Sequence, residues 1–381
     1  MKEARTAIRP AVAAVAAGVV LLVAGCGLAD TAEFYWQGAA GQADLIRRAT
    51  PIDQAAAATD DPVLKARLEL VQSIRAFASR ELALPDNRTF TRYADIGRPY
   101  VVWNVFAAPP LALQARQWCF PIAGCVNYRG YFSEDDARAE AARLAAAGDD
   151  VHVGGVPAYS TLGWLDDPVL SSFVRWRETD LARIMFHELA HQVVYVKDDT
   201  SFNESFAVAV EEAGLARWLD AQAGRPDHAQ LVEAAARSER LRADFRGLVA
   251  GTRERLAQLY AGDAPDAAKR EAKAAIFAAM RADYDRMKAG WDGVPAFDRW
   301  FGTGANNAGI VAVGLYTDRV AAFRALLAAE GGDLARFHAR VKALAALPRS
   351  ERDAALAGFD RSAGGAPPPS AATPPAALGL R

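Results

Sequence analysis

Residues 187–191 read His-Glu-Leu-Ala-His, and they lie inside an apolar stretch with helical spacing. Ile184, Met185 and Phe186 precede the motif, and Val193, Val194 and Val196 follow it. Four residues is about one helical turn, so His187 and His191 fall on one face, stacked one above the other. Glu188 projects beside them. The apolar flanks place this helix in a core, where two imidazoles need partners. Two histidines one turn apart are suited to sharing a cation, with the intervening glutamate close enough to act on a water in the same place. Chance supplies such a match in only about a few chains per thousand of this histidine content.

A catalytic metal centre of this kind takes a third protein ligand and keeps a fourth position open. Downstream, Lys197-Asp198-Asp199-Thr200-Ser201 forms a polar loop, after which helical spacing resumes at Phe202. An antiparallel second helix from Phe202 to Ala221 would carry Glu204 under the two histidines. The same glutamate also fits a capping box, Ser201-x-x-Glu204, that would tie it to its own helix terminus. Glu211 and Glu212 are the fallback ligands. Asn203 is the candidate for orienting a histidine from outside the ligand set. His152 reads as a surface or packing residue and not as a ligand.

The remaining pattern is mostly helical. Asp61-Pro62 starts a helix within a helical region over 33–84, and Ser133 followed by Glu134-Asp135-Asp136 starts another that Gly148 ends. The metal-motif helix is expected from Phe173 to Tyr195, and further helices over 229–290 and 316–346. Residues 100–106 are aromatic and β-branched and predict a strand. Residues 151–164 predict one or two strands, with Pro157 and the glycines indicating an edge. A strand near Pro157–Trp164 would lie beside the metal and pair with substrate backbone. Together these give an α+β fold, helical with a small sheet beside the metal-binding helix. Five regions are expected: a leader over 1–25, helices over 26–95, the core over 96–225, helices over 226–360, and a Pro/Ala-rich tail over 361–381.

The N-terminus carries an address. Lys2, Arg5 and Arg9 precede an uncharged apolar run from Ala11 to Val23, too short to span a bilayer and suited to a signal peptide. Val23-Ala24-Gly25-Cys26 resembles a bacterial lipobox, which implies lipid attachment at Cys26. Gly27 after it implies outer-membrane sorting. In an exported chain the remaining pair, Cys119 and Cys125, predicts a small-loop disulfide. Two thiolate metal ligands would need further Cys or His nearby. The formal net charge is −2 and no basic stripe is present, so composition gives nucleic-acid binding no support.

Several stretches together resemble a family of zinc aminopeptidases of Gram-negative bacteria. They are Phe34-Tyr35-Trp36-Gln37-Gly38, Arg98 to Asn104, Trp118-Cys119-Phe120-Pro121 with Gly124-Cys125, Tyr128 to Phe132, Gly155 to Trp164, Phe186 to Val196 and Phe202 to Glu212. Asn-Glu-x-x-Ala at 203–207 is similar to the gluzincin pattern. The resemblance implies Zn2+ held by His187, His191 and Glu204, with Glu188 as general base and a peptide as substrate. It also implies a tyrosine from a C-terminal helix as oxyanion donor, for which Tyr316 is the candidate; its other reading is a packing tyrosine. An exopeptidase needs an acid for the substrate α-ammonium, and Gly-x-Met-Glu-Asn is not found. Asp166, Asp167 and Glu178 are the candidates.

Overall fold

The computed structural model describes residues 31–120, 124–316 and 318–363. Cys26, the leader and residues 364–381 of the tail lie outside the described residues. Helix makes up 62 % of the described residues against sheets of two or three strands, so the fold is mostly helical α+β.

The chain begins with α1 (31–48), then β1 (Thr50–Pro51), α2 (Ile52–Ala58) and α3 (Pro62–Leu82). At the start of α3 the Asp61 carboxylate accepts the amides of Val63 and Leu64, with Pro62 in the first turn, where its missing donor costs nothing. Next come β2 (Arg92–Ala94), β3 (Val102–Ala108), β4 (Trp118–Phe120), β5 (Gly124–Val126), β6 (Arg129–Tyr131), α4 (Glu134–Ala146), β7 (Asp150–Val156) and β8 (Val169–Leu170). Ser133 caps α4 by accepting from Asp136, and Gly148, at φ +95°, ends it in a conformation that favours glycine.

The larger half is helical: α5 (Glu178–His191), α6 (Thr200–Ala221), α7 (His228–Ala261), α8 (Asp266–Gly290), α9 (Asp298–Gly302), α10 (Asn307–Leu315), α11 (Val320–Ala329), α12 (Leu334–Ala345) and α13 (Arg349–Ala363). No helix among the described residues is long and apolar enough to cross a membrane.

Strand β3 is the centre of a sheet ordered β6-β3-β7, antiparallel on both sides. Its alternation sorts two cores. Trp103, Val105 and Ala107 pack with α4, while Phe106 and Ala108 pack with Ala308 and Ala312 of α10. A second sheet is ordered β1-β2-β8, and β4 and β5 form a separate hairpin. The largest core draws side chains from Leu45 to Leu356, with Phe186 of α5 and Phe206 of α6 fully buried at its centre. Phe206 packs against Phe323 and Phe337, which ties α6 to α11 and α12.

Two elements differ from the sequence expectation. The α5 helix runs from Glu178 to His191 and not from Phe173 to Tyr195: residues 171–175 form tight turns, Arg177 is extended at ψ 148°, and residues 192–193 turn the chain out of the helix. Phe173 and Val174 are fully buried, so their apolar spacing reports burial in turns and not a helical face. Strand β7 ends at Val156. Pro157 lacks a donor for the ladder, and residues 157–168 leave the sheet as turns.

Candidate metal centre

Helices α5 and α6 run antiparallel and face to face. The loop between them is held from several directions. Asp199, 2 % exposed, caps α6 through the Phe202 amide and accepts 2.8 and 3.2 Å bonds from Arg352, with Arg319 at 3.3 Å. Asn203 closes the turn with both ends of its amide, accepting from Val196 N at 2.7 Å and donating to Val196 O at 2.8 Å. Its expected contact with a histidine is therefore replaced by a backbone clamp. Ser201 does not cap α6; its Oγ is buried without a partner, and the capping box is not formed.

With that loop fixed, Glu204 comes under the two histidines. His187 Nε2 and His191 Nε2 are 3.2 Å apart, and Glu204 Oε2 is 3.2 Å from the first and 3.6 Å from the second. All three residues are buried, and their ligand atoms form one group that could hold a metal ion. A tetrahedral site with bonds of about 2.0–2.1 Å has ligand-to-ligand edges of about 3.3 Å. The observed triangle has that size, so the donor set fits a zinc-sized ion in both chemistry and spacing.

His187 is held on its other side as well. Glu211, two helical turns after Glu204 on the same face of α6, places Oε2 2.9 Å from His187 Nδ1. Its Oε1 accepts from Arg183 Nη2 at 2.8 Å, and Arg183 reaches Glu239 at 3.1 Å. Glu211 thus holds the His187 ring from its Nδ1 side. Glu212 faces away and pairs with Arg324 at 2.6 Å.

Electrostatics follow from this crowding. Burial pushes Glu204 and Glu211 up, but the histidines, and Arg183 for Glu211, outweigh it and hold both at about 2. Burial lowers His187, yet its hydrogen bonds to both carboxylates raise it well above its ordinary range. Glu188, half-buried beside them, is raised by burial against the pull of the histidines.

Tyr316 ends α10, and its ring centroid lies 6.4 Å from that of His187. The Glu204 charge, then burial, raise its phenol well above the usual value, which keeps it a neutral donor. A second tyrosine, Tyr128, stands in the same field. It packs on Phe106 at 5.7 Å beside Leu315, and burial, then Glu204, raise it. Tyr128 follows the β4–β5 hairpin, where Cys119 and Cys125 pair across the strands and form a disulfide. That hairpin sits on the α5–α6 loop: the Cys125 amide donates to Asp198, and any β-carbon at Gly124 would collide with Asp198 and Lys197.

The three acids considered for an α-ammonium are engaged elsewhere. Asp166 pairs with Arg88 at 3.1 Å, and Glu178 with Arg225 at 2.5 Å. Glu178 is also nine residues before His187, about 13 Å along the helix. Asp167 is buried and accepts from Thr161, and burial raises it to about 6. His152 is a packing residue between Phe106 and Trp300, with Nδ1 3.2 Å from the Thr303 hydroxyl. Sequence reasoning missed Arg183 and the tyrosine at 128, and it weighed Glu211 only as a substitute ligand. The seven-residue spacing of Glu204 and Glu211 was the available signal, since it puts both on one helical face.

Comparisons with curated proteins and with solved structures found no match. Residues 33–356 match the model of the family described as Putative aminopeptidase, a span that takes in His187, His191 and Glu204, both tyrosines and the hairpin. With most of its length matched, this chain belongs to the Putative aminopeptidase family.

Proposed function

We propose that the chain is a zinc-dependent peptidase in which His187, His191 and Glu204 hold the metal and Glu188 is the general base. The observation that carries this is the convergence of His187 Nε2, His191 Nε2 and Glu204 Oε2 beside Glu188. Zinc held there supplies Lewis acidity and brings the pKa of water down to about 7. Glu188 takes the proton of the attacking water and delivers it to the leaving amine; its raised pKa suits it to hold that proton between the two steps. Tyr316, with Tyr128 beside it, offers a neutral phenol to the developing oxyanion. Glu211 keeps His187 in the tautomer that presents Nε2 as a ligand.

The family name supports peptides as substrates and removal of N-terminal residues as the reaction. Arginine pairing of Asp166 and Glu178 favours a second reading, cleavage within peptides, because both acids are already occupied. Purified protein should contain one zinc per chain, and Glu188→Gln should keep the metal while losing hydrolysis. Cleavage of free-amine peptides over N-blocked ones supports the aminopeptidase; cleavage of blocked peptides alone supports the endopeptidase. Full metal with no cleavage of either by wild type overturns both. The setting we propose is the cell envelope, with Cys26 lipid-anchored and the site facing the periplasm. In membrane fractionation Cys26→Ser should move the protein to the soluble fraction, and an unchanged membrane fraction contradicts the anchor.

A further inference from the structure

We propose that the turn over residues 160–166 is the side-chain recognition element of this site, with Trp164 and Leu165 receiving an apolar side chain of the peptide next to the scissile bond. This rests on the peptidase reading above. Trp164 is 76 % exposed and Leu165 41 %, adjacent positions among the few large apolar side chains left open to water. Apolar residues scattered singly on a surface are ordinary, whereas these two stand side by side on a hydrogen-bonded turn.

The turn is rigid because its hydrogen bonds close on one buried acid. Asp167, 1 % exposed, accepts the Thr161 amide at 2.8 Å and the Thr161 hydroxyl at 2.9 Å. Thr161 in turn accepts from Leu165 N through its hydroxyl at 3.0 Å and from Trp164 N through its carbonyl at 3.1 Å. Between them Leu162 is held at φ +57°, a left-handed conformation that costs a branched residue energy. Backbone strain and exposed apolar surface therefore occur together in one short segment.

Its location points to substrate. A β-carbon at Gly163 would stand 3.2 Å from Gln192 Oε1, and Gln192 directly follows His191. Gln192 is itself fixed, accepting from Asn87 at 2.7 Å and donating to Thr89 at 3.0 Å. The indole is thus carried on a braced turn against the C-terminal end of the metal-binding helix. A pre-ordered aromatic surface gains from apolar contact without first losing chain entropy, which makes it a selective surface for large apolar side chains.

The test uses the metal-loaded full chain and peptides that differ only at the residues flanking the scissile bond, Leu or Phe against Ser or Glu. Trp164→Ala should lower kcat/KM for the apolar peptides by about tenfold or more, through KM, and lower it far less for the polar ones. Trp164→Phe should recover most of the loss. Calorimetric binding of the leucine peptide to the Glu188→Gln protein should weaken by a similar factor when Trp164→Ala is added. The binding measurement needs no turnover, so it still decides the role of the turn if the peptidase reading itself fails. An apolar-to-polar preference and a Kd both within about twofold of the parent in Trp164→Ala overturn the proposal.

Discussion

Replacing Glu211 by glutamine tests whether the metal centre depends on a residue that touches no metal. In the native site Glu211 accepts at both oxygens, from His187 Nδ1 at 2.9 Å and from Arg183 at 2.8 and 3.2 Å. Glutamine has one acceptor. If its oxygen faces Arg183, its NH2 faces His187 Nδ1, and the ring proton must move to Nε2, the atom aimed at the ligand triangle. If its oxygen faces His187, two donors meet at Arg183. Either way a buried interaction is lost, and outer partners of metal-bound histidines are typically worth about 10- to 100-fold in affinity. That is about 1.4–2.7 kcal/mol. Arg183 keeps Glu239, so the fold should survive. Zinc affinity, measured by competition with a chromophoric chelator, should therefore fall by that factor in Glu211→Gln, while Glu204→Gln, which removes a ligand, should fall further. Wild-type affinity in Glu211→Gln refutes the reasoning. A larger loss in Glu211→Gln than in Glu204→Gln would exchange their roles.

Two further outcomes are expected. Burial holds His152 and His338 down at about 4, so both fold as neutral rings while the unfolded chain takes up protons near pH 6.5. Each contributes stability that is complete above about pH 6.5 and is lost as pH falls toward 4, on the order of 3 kcal/mol per ring. Urea melts at pH 7 and pH 4.5 should show a smaller loss in His338→Leu than in wild type, and parallel losses would remove His338 from the account. For the oxyanion donor, Tyr316→Phe should lower kcat by about 100-fold or more with zinc retained; a larger loss in Tyr128→Phe would assign the role to Tyr128.

Much of the centre was legible because its parts are local. His187, Glu188 and His191 share one turn, and Glu204 follows after a loop short enough to force an antiparallel return. The helix starts at Asp61 and Ser133 were legible for the same reason, since a cap and its amides lie within four residues. What the sequence did not disclose depends on contacts between distant segments. Asn203 clamps Val196 and not a histidine because the turn geometry puts that backbone within reach of both ends of its amide. Tyr128 reaches the site across the face of β3 that presents Phe106 and Ala108 to α10, where it packs beside Leu315. Residues 157–164 look like a continuing strand by composition, yet Pro157 ends the ladder and the Asp167–Thr161 bonds fold the segment into a turn.

The charge balance of the centre links metal occupancy to the state of the base. Glu204 and Glu211 are both ionised at neutral pH, and Arg183 offsets one of them. Without a cation the other is balanced by the extra proton that the carboxylates hold on His187. Buried charge without compensation is costly, so the protein reaches near-neutrality by recruiting that proton. A dication in the ligand triangle would displace the proton and bring one positive charge more than it removes. The surplus would fall beside Glu188, whose ionisation burial opposes. The same ion that satisfies the ligands would therefore favour the carboxylate form of the general base, while Glu211, shielded by Arg183, stays available to hold His187. On this reading the second carboxylate and its arginine are part of what the metal site requires, because they let His187 keep its orienting bond whether or not the extra proton is present.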